Sequence, residues 1–261
     1  MNSTTNPASD SDLFDLTGRR AVVTGASRGI GRAIALALAA RGAHVIGVAR
    51  SEEGLKETAE LAAGTRGSLR TLATDLRSPD TAEAAVVAAA EQLGGLDVLV
   101  NNAADDHDSK IEDTDLAVYQ RVLELNLQSC WVMIKAASPY LKDGGGKVIN
   151  IASVLGLVGM RNDSAYIAAK HGLVGLTRAV ALEWARKNVQ VNAIAPGFVQ
   201  TAMLPDLDAN EAAAQYIRGQ IPMGRWSQPE EYAGPAVFLA SSASNYMTGQ
   251  VLVVDGGLIA Q

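Results

Sequence analysis

The sequence predicts an α/β protein, a single doubly wound parallel sheet of about seven strands with helices on both faces. Three observations carry this prediction. Apolar runs alternate with Ala-rich stretches of helical spacing from Arg19 onward. A glycine-rich turn follows the first apolar run. No linker, repeat or low-complexity segment interrupts the alternation. Short buried strands that alternate with helices need a parallel sheet covered on both sides.

The strands are expected at residues 21–24, 44–49, 69–74, 98–101, 147–151, 189–194 and 251–254, each a short run bounded by turn residues. Helices are expected at 30–40, 81–93, 116–141, 165–186 and 229–239, where apolar residues recur at helical spacing. Ser51 before Glu52 and Glu53 reads as a helix N-cap followed by an acidic first turn. Residues 1–12 are polar and lack the apolar stretch of a secretion signal, so 1–15 is expected as a flexible leader and 16–261 as the domain. The irregular region is 200–222, a polar insertion with apolar anchors (Met203, Leu204, Leu207, Ile217, Ile221) among acids (Asp206, Asp208, Glu211). Its length and composition suit a lid over a binding cleft.

Composition narrows the function classes. The chain has 261 residues, 48% hydrophobic and 19% charged, with a formal net charge of −6. That balance fits a folded protein, and the absence of any basic stripe argues against a nucleic-acid partner. The longest apolar run near the start, 33–40, is too short to span a membrane. A lone cysteine, Cys130, excludes an internal disulfide, suits a reducing cytoplasm, and reads as a small buried residue of a helix.

The glycine turn runs Thr24-Gly25-Ala26-Ser27-Arg28-Gly29-Ile30-Gly31. Lying between the first strand and the first helix, it gives a tight corner, close backbone approach and a helix N-terminus aimed at negative charge. This is the pyrophosphate site of a Rossmann-type dinucleotide fold. The second strand ends Val48-Ala49-Arg50-Ser51, with no carboxylate to chelate ribose hydroxyls. Arg50 and Arg28 are placed to meet a 2′-phosphate, which favours NADP(H) and leaves NAD(H) possible. Asp75 and Leu76, past the third strand, are placed for adenine. Asn102 and Ala103, past the fourth, lie where ligands of such sheets sit.

A second constellation supplies proton chemistry. Tyr166 and Lys170 are four residues apart, hence on one helical face, and Ser153 follows an apolar strand thirteen residues before the tyrosine. An ammonium near the phenol is expected to lower its pKa from about 10 toward neutrality. Tyr166 would then give a proton to a carbonyl oxygen or take one from an alcohol, while Ser153 holds that oxygen.

With these motifs in order, the chain resembles the short-chain dehydrogenase/reductase family, in the branch with a three-glycine turn and a Tyr-x-x-x-Lys pair. The likeness runs over nearly everything after the leader, through Asp75, Asn101-Asn102-Ala103, Ser153, Tyr166, Lys170 and Asn192 to Pro196-Gly197. It implies that Asn126 completes a catalytic tetrad with Ser153, Tyr166 and Lys170 and links Lys170 to a water chain. It also implies that Lys170 holds the nicotinamide ribose, that Pro196, Gly197, Val199 and Thr201 line the carboxamide, and that the last strand serves a homotetramer. Ala104 stands where the family has glycine. Were positive φ required there, alanine would cost about 1–2 kcal/mol; otherwise its methyl group only narrows the cofactor pocket.

Within the family, the segments 183–185, 190–197 and 222–226 are similar to gluconate 5-dehydrogenase-like proteins, and the broader pattern to 3-oxoacyl-carrier-protein reductases. With no evident basic patch for an acidic carrier, the expected partner is a small carbonyl or alcohol. A non-catalytic dinucleotide sensor on the same fold is the rival from another class. Asp105-Asp106-His107-Asp108 is read as a solvated loop bordering the substrate cleft and not as a metal site, because consecutive side chains rarely converge on one ion. Trp131, Trp184 and Trp226 are read as packing residues, Trp226 with a chance of meeting substrate.

Overall fold

The structure, a computed structural model, describes residues 13–201 and 211–260. Seven strands form one sheet: β1 (Arg20–Thr24), β2 (His44–Ala49), β3 (Ser68–Ala73), β4 (Val98–Asn101), β5 (Gly146–Ile151), β6 (Val189–Pro196) and β7 (Val251–Val254). Their order is β3-β2-β1-β4-β5-β6-β7, with every pairing parallel. The direction of winding reverses between β1 and β4, where Val22 stands beside Ile46 on one side and Leu99 on the other. Such a switch point opens a crevice at the carboxyl ends of the strands.

Helices cover both faces: α1 (Gly29–Ala40), α2 (Glu52–Leu61), α3 (Pro79–Leu93), α4 (Leu116–Leu123), α5 (Ser129–Leu141), α6 (Ser164–Trp184), α7 (Glu211–Gln220) and α8 (Ala233–Ala240). One core layer joins Val23, Ile34, Leu38, Val100 and Tyr232, and the other joins Val22, Leu99, Met133, Val148 and Trp184. Alternate residues of β1 therefore enter opposite layers, as a two-faced buried strand requires. Cys130 is buried in α5, as its sequence context implies.

The structure departs from the sequence reading in four places. The expected helix 116–141 is interrupted by a π-helical turn at Glu124–Gln128, between α4 and α5. Such bulges insert a residue without changing the hydrophobic period enough to be seen. The insertion 200–222 contains α7, whose Ala214 and Ile217 pack with Ile221, Trp226 and Phe198 in a satellite cluster. Met203, Leu204, Asp206, Leu207 and Asp208 lie outside the described residues, as do residues 1–12. Residues 13–15, assigned to the leader by sequence, are tied to the body: Ser242 Oγ donates to Leu13 O at 3.0 Å, and Arg66 pairs with Asp15 at 3.0 Å. Finally, Trp131 is half-exposed, with Lys135 Nζ 5.4 Å from its ring centre, and is no core residue. Among the described residues no helix is long and apolar enough to cross a membrane.

Candidate active site

The corner after β1 is built by Thr24. Its hydroxyl donates to Val100 O at 3.3 Å and accepts the N–H groups of Asn102 and Ala103 at 2.8 and 2.9 Å. Asn102 Nδ2 donates to Thr24 O at 2.9 Å, so the ends of β1 and β4 are locked together. Gly25 has φ +66°, and a Cβ there would stand 2.6 Å from Asn102 Nδ2. Gly31 lies behind the turn and not on the cleft wall; a Cβ on it would collide with Gly25 O and the Asn102 amide. Its part in this structure is close packing of helix against strand. Thr24 itself was missed by sequence reading, although a hydroxyl ending the first strand beside the glycines was a usable signal.

A cleft of about 940 Å³ runs along the carboxyl ends of the strands. At one end it is lined by Gly25, Ser27, Arg28, Gly29 and Ile30 from the turn, Arg50 and Ser51 after β2, and Asp75 and Leu76 after β3. Asn102 and Ala103 line its middle, with Pro196, Gly197, Val199 and Thr201 along the far wall. Arg28 is the extended N-cap of α1, with no side-chain cap and no acid in the first turn. The unpaired N–H groups of that turn therefore present the positive end of the helix to the cleft. Together with the glycines, whose missing Cβ atoms leave room for close backbone approach, this donor set fits a dinucleotide pyrophosphate.

The charges around the ribose position have been sorted by the fold. Arg32 is paired with Glu57 through both guanidinium nitrogens, at 2.8 and 2.7 Å. Arg77 occupies the Asp75 carboxylate, donating its backbone N–H and Nη1 at 3.0 and 3.1 Å. Arg50 keeps only a 4.0 Å contact to Asp75 and is 60% exposed, so its guanidinium remains open to an anionic ligand. Ser51 caps α2 by accepting the Gly54 N–H at 3.1 Å, as expected. Glu53 also lines this end and is the charge that opposes the arginines.

At the other end stand Ser153, Tyr166 and Lys170. Ser153 follows β5, and its hydroxyl accepts the Leu155 N–H at 3.1 Å and hydrogen bonds with the Tyr166 phenol. Lys170 is buried one helical turn after Tyr166, with Nζ 5.3 Å from the phenol ring centre and donating to Ile151 O at 2.9 Å. Burial lowers the Lys170 pKa to about 8. The expected fall in the Tyr166 pKa is not present in this structure: burial first and the nearby Asp106 carboxylate second push the phenol above its ordinary value. Lys170 lies beside the ring and donates to a backbone carbonyl, while Asp106 and Asp163 are near enough to raise the phenol electrostatically. The phenol is thereby held as the protonated acid.

Asn126 is fully buried in the π turn and does not line the cleft. Its side chain clamps the backbone of Asp105, Nδ2 donating to Asp105 O at 2.6 Å and Oδ1 accepting Asp105 N–H at 2.9 Å. The loop Asp105–Asp108 is thus fixed against the substrate end, as its sequence placement beside the cleft anticipated. Asp106 and Asp108 of that loop line the end with Leu155, Met160, Arg161 and Asp163, and these last four the sequence had not singled out for a site. Among the described residues no group of three or more His, Cys, Asp or Glu residues is arranged to hold a metal ion. Ala104 is not among the residues with positive φ, so the methyl group in place of the family glycine carries no backbone strain. Trp226 is buried against Phe198, ring centres 5.4 Å apart and edge to face, and does not reach the cleft wall.

Comparison with known proteins places this geometry. The family model described as enoyl-(acyl carrier protein) reductase matches residues 25–259. The 2-dehydro-3-deoxy-D-gluconate 5-dehydrogenase of Bacillus subtilis is 42% identical over 253 residues, 96% of this chain and 98% of that protein. The 3-oxoacyl-[acyl-carrier-protein] reductase of Vibrio cholerae is 39% identical over 246 residues, 94% of this chain and 99% of its own length. A Beutenbergia cavernae protein described as an NAD(P)-dependent gluconate 5-dehydrogenase, solved with NADP at low occupancy, superposes with a TM-score of 0.91 at 45% identity. That match covers 95% of this chain and all of the other. The chain belongs to the short-chain dehydrogenase/reductase family, and it is an oxidoreductase of that family's NAD(P)-dependent kind.

Proposed function

We propose that this protein transfers a hydride between NADP(H) and a ketone/secondary-alcohol pair, with Tyr166 as the general acid/base. The observation that carries the reading is the meeting of Ser153, Tyr166 and Lys170 at one end of a cleft whose other end is the glycine turn and bare N-terminus of α1. When bound, the nicotinamide supplies or accepts the hydride. Ser153 holds the substrate oxygen, and Tyr166 protonates it in reduction or deprotonates it in oxidation. Lys170 holds the nicotinamide ribose and replenishes the proton, with Asn126 linking it to water as the family resemblance implies. The preference for NADP(H) is supported by Arg28 and the open Arg50, by the lack of an acid at the end of β2, and by the NADP bound to the related structure. The sugar-acid dehydrogenases and the 3-oxoacyl reductases among the relatives share only the ketone/alcohol carbon, and that shared chemistry is what is assigned here.

Loss of NADPH absorbance on adding a panel of ketones, run in parallel with NADP⁺ and alcohols, tests the reading. Turnover of at least one pair is expected. Tight NADPH binding without oxidation across the panel would instead support a dinucleotide sensor. Including a 3-oxoacyl thioester free and on carrier protein separates the second reading, that of a 3-oxoacyl-carrier-protein reductase, which the Vibrio cholerae relative favours.

Three further features belong to this reading. Residues 200–222 act as a lid over the substrate end, supported by Ala214 and Ile217 of α7 on the cleft wall and Ile221 anchored on Trp226. Hydrogen exchange of α7 should slow when cofactor and substrate bind; equal protection with and without ligands would show a fixed wall. The chain assembles as a homotetramer, supported by Leu182, 82% exposed on α6, and the half-exposed Trp131 on α5. Light scattering of the purified protein checks this. A cytoplasmic location is supported by the single, buried cysteine.

A further inference from the structure

The substrate end of the cleft carries three carboxylates, and their surroundings say what they are built to meet. Asp106, Asp108 and Asp163 line the wall beside Tyr166 and Ser153. They come from two segments pinned together: Ser109 N–H donates to Asn162 O at 2.7 Å, and Ser109 pairs with Asp163 in a short parallel bridge. Asn126 fixes the other end of the first segment through Asp105. Asp163 is 8% exposed, and none of the described residues donates a hydrogen bond to its Oδ1. The side chain it faces is Asp106, another acid, so the two can satisfy each other only with a proton shared between them. Burial and then Asp106 push Asp163 up to about 7, the signature of a carboxyl group with no cation to pair with. Asp106 Oδ1 accepts the His107 N–H at 2.7 Å, which leaves acceptor capacity on its carboxylate.

The nearby cations do not neutralise this wall. Arg77 and Arg121 pair with Asp105 at 3.1 and 3.4 Å, and Asp105 is not part of the wall. Lys170 is buried and directed to Ile151 O. Arg161 is exposed at the mouth and is the only arginine lining this end among the described residues. A substrate at Tyr166 therefore meets acceptors in want of donors and a negative potential.

We propose that the substrate end accepts an uncharged or ammonium-bearing polyhydroxy compound, its hydroxyl or amino groups donating to Asp106 and Asp163, and discriminates against a carboxylate. The inference rests on the hydride-transfer reading of the same cleft and names its substrate class. Two like charges brought together in a partly buried site are strongly disfavoured, whereas a donor filling an unmet buried acceptor is favoured.

Glucitol, gluconate and glucamine share one carbon skeleton and differ at one end in charge, so they serve as probes. Each is titrated by calorimetry into the wild-type enzyme saturated with NADP⁺, and nicotinamide reduction is followed separately. Glucitol and glucamine should bind at least ~10-fold more tightly than gluconate, a gap typical of like-charge rejection. Asp163→Asn and Asp106→Asn, which keep shape and remove charge, should each narrow that gap, moving KM more than kcat. Gluconate binding as tightly as glucitol, or no binding by any of the three, would overturn the proposal. Because calorimetry reads binding without turnover, failure of the hydride-transfer reading would show separately, as absent NADP⁺ binding or as substrates that bind and never react.

Discussion

The two ends of the cleft are made by opposite means. The cofactor end is made largely of backbone: glycines, the unpaired N–H groups opening α1, and two arginines open to an anion. The substrate end is made of side chains brought from distant segments, and its wall is acidic. A cleft polarised in this way orients its ligands by charge before any contact is made, with phosphates drawn to one end and donors to the other. The same polarity acts on Tyr166, whose phenol is kept protonated by burial first and by the acidic wall second. The ammonium that sequence reasoning expected to lower the phenol pKa is present beside the ring, but burial first, and Asp106 after it, raise the phenol in this structure.

Substitutions on each side sharpen that contrast. Lys170→Met removes a buried ammonium from the point where the two ends meet, and kcat/KM should fall about 100-fold, the scale of a lost proton-transfer partner. NADPH affinity should fall with it, and steady-state kinetics with a binding titration would show whether both change. Gly31→Ala forces a methyl group against Gly25 O, an overpacking that costs about 1–3 kcal/mol. NADPH binding should weaken by about 10–100-fold while a substrate-end ligand is affected far less. Equal loss at both ends would mean that the turn is not a separate module. Arg50→Asp replaces an exposed attraction by a repulsion and should shift the NADPH/NADH preference by about tenfold toward NADH. A wild type that already prefers NADH would show that the arginines had been assigned wrongly.

The remaining effect is on stability and belongs to the acidic end. An acid whose folded pKa lies above its unfolded value is favoured when protonated. Asp163 is at about 7 in the fold and an aspartate is near about 3.9 when unfolded. Its contribution is therefore fully present below about pH 4 and is lost as pH rises through about 7. Asp163→Asn should flatten that part of the melting-temperature profile and leave it unchanged at low pH. An unaltered slope between those limits would mean that Asp163 has found a partner.

The same contrast explains what could be read from the sequence. The glycine turn, Arg50 and the Tyr166–Lys170 pair are local patterns, written within a few residues, and the structure puts them on the cleft with Gly31 just behind it. The parallel, two-layered class follows from the alternation of short apolar runs with helices, and the strand bounds differ from expectation by at most two residues at any end. Asp106 and Asp163 are 57 positions apart. Nothing periodic announces that they meet, because the pairing of Ser109 with Asp163 is a tertiary event. The π turn escaped for a related reason, since one extra residue leaves the apolar pattern of 116–141 intact. Helix α7 escaped because its polar composition resembles a loop, and its apolar face becomes evident only against Trp226.

The central claim is that Tyr166 delivers the proton at the meeting point of these two ends. Single-turnover oxidation of enzyme-bound NADPH by a ketone, compared between wild type and Tyr166→Phe, tests it most directly. The substitution keeps the ring and removes the hydroxyl, so the rate should fall by at least ~100-fold while NADPH affinity is unchanged. A variant that keeps more than about half of the wild-type rate, where proton transfer should contribute 10²–10⁴-fold, would contradict the account.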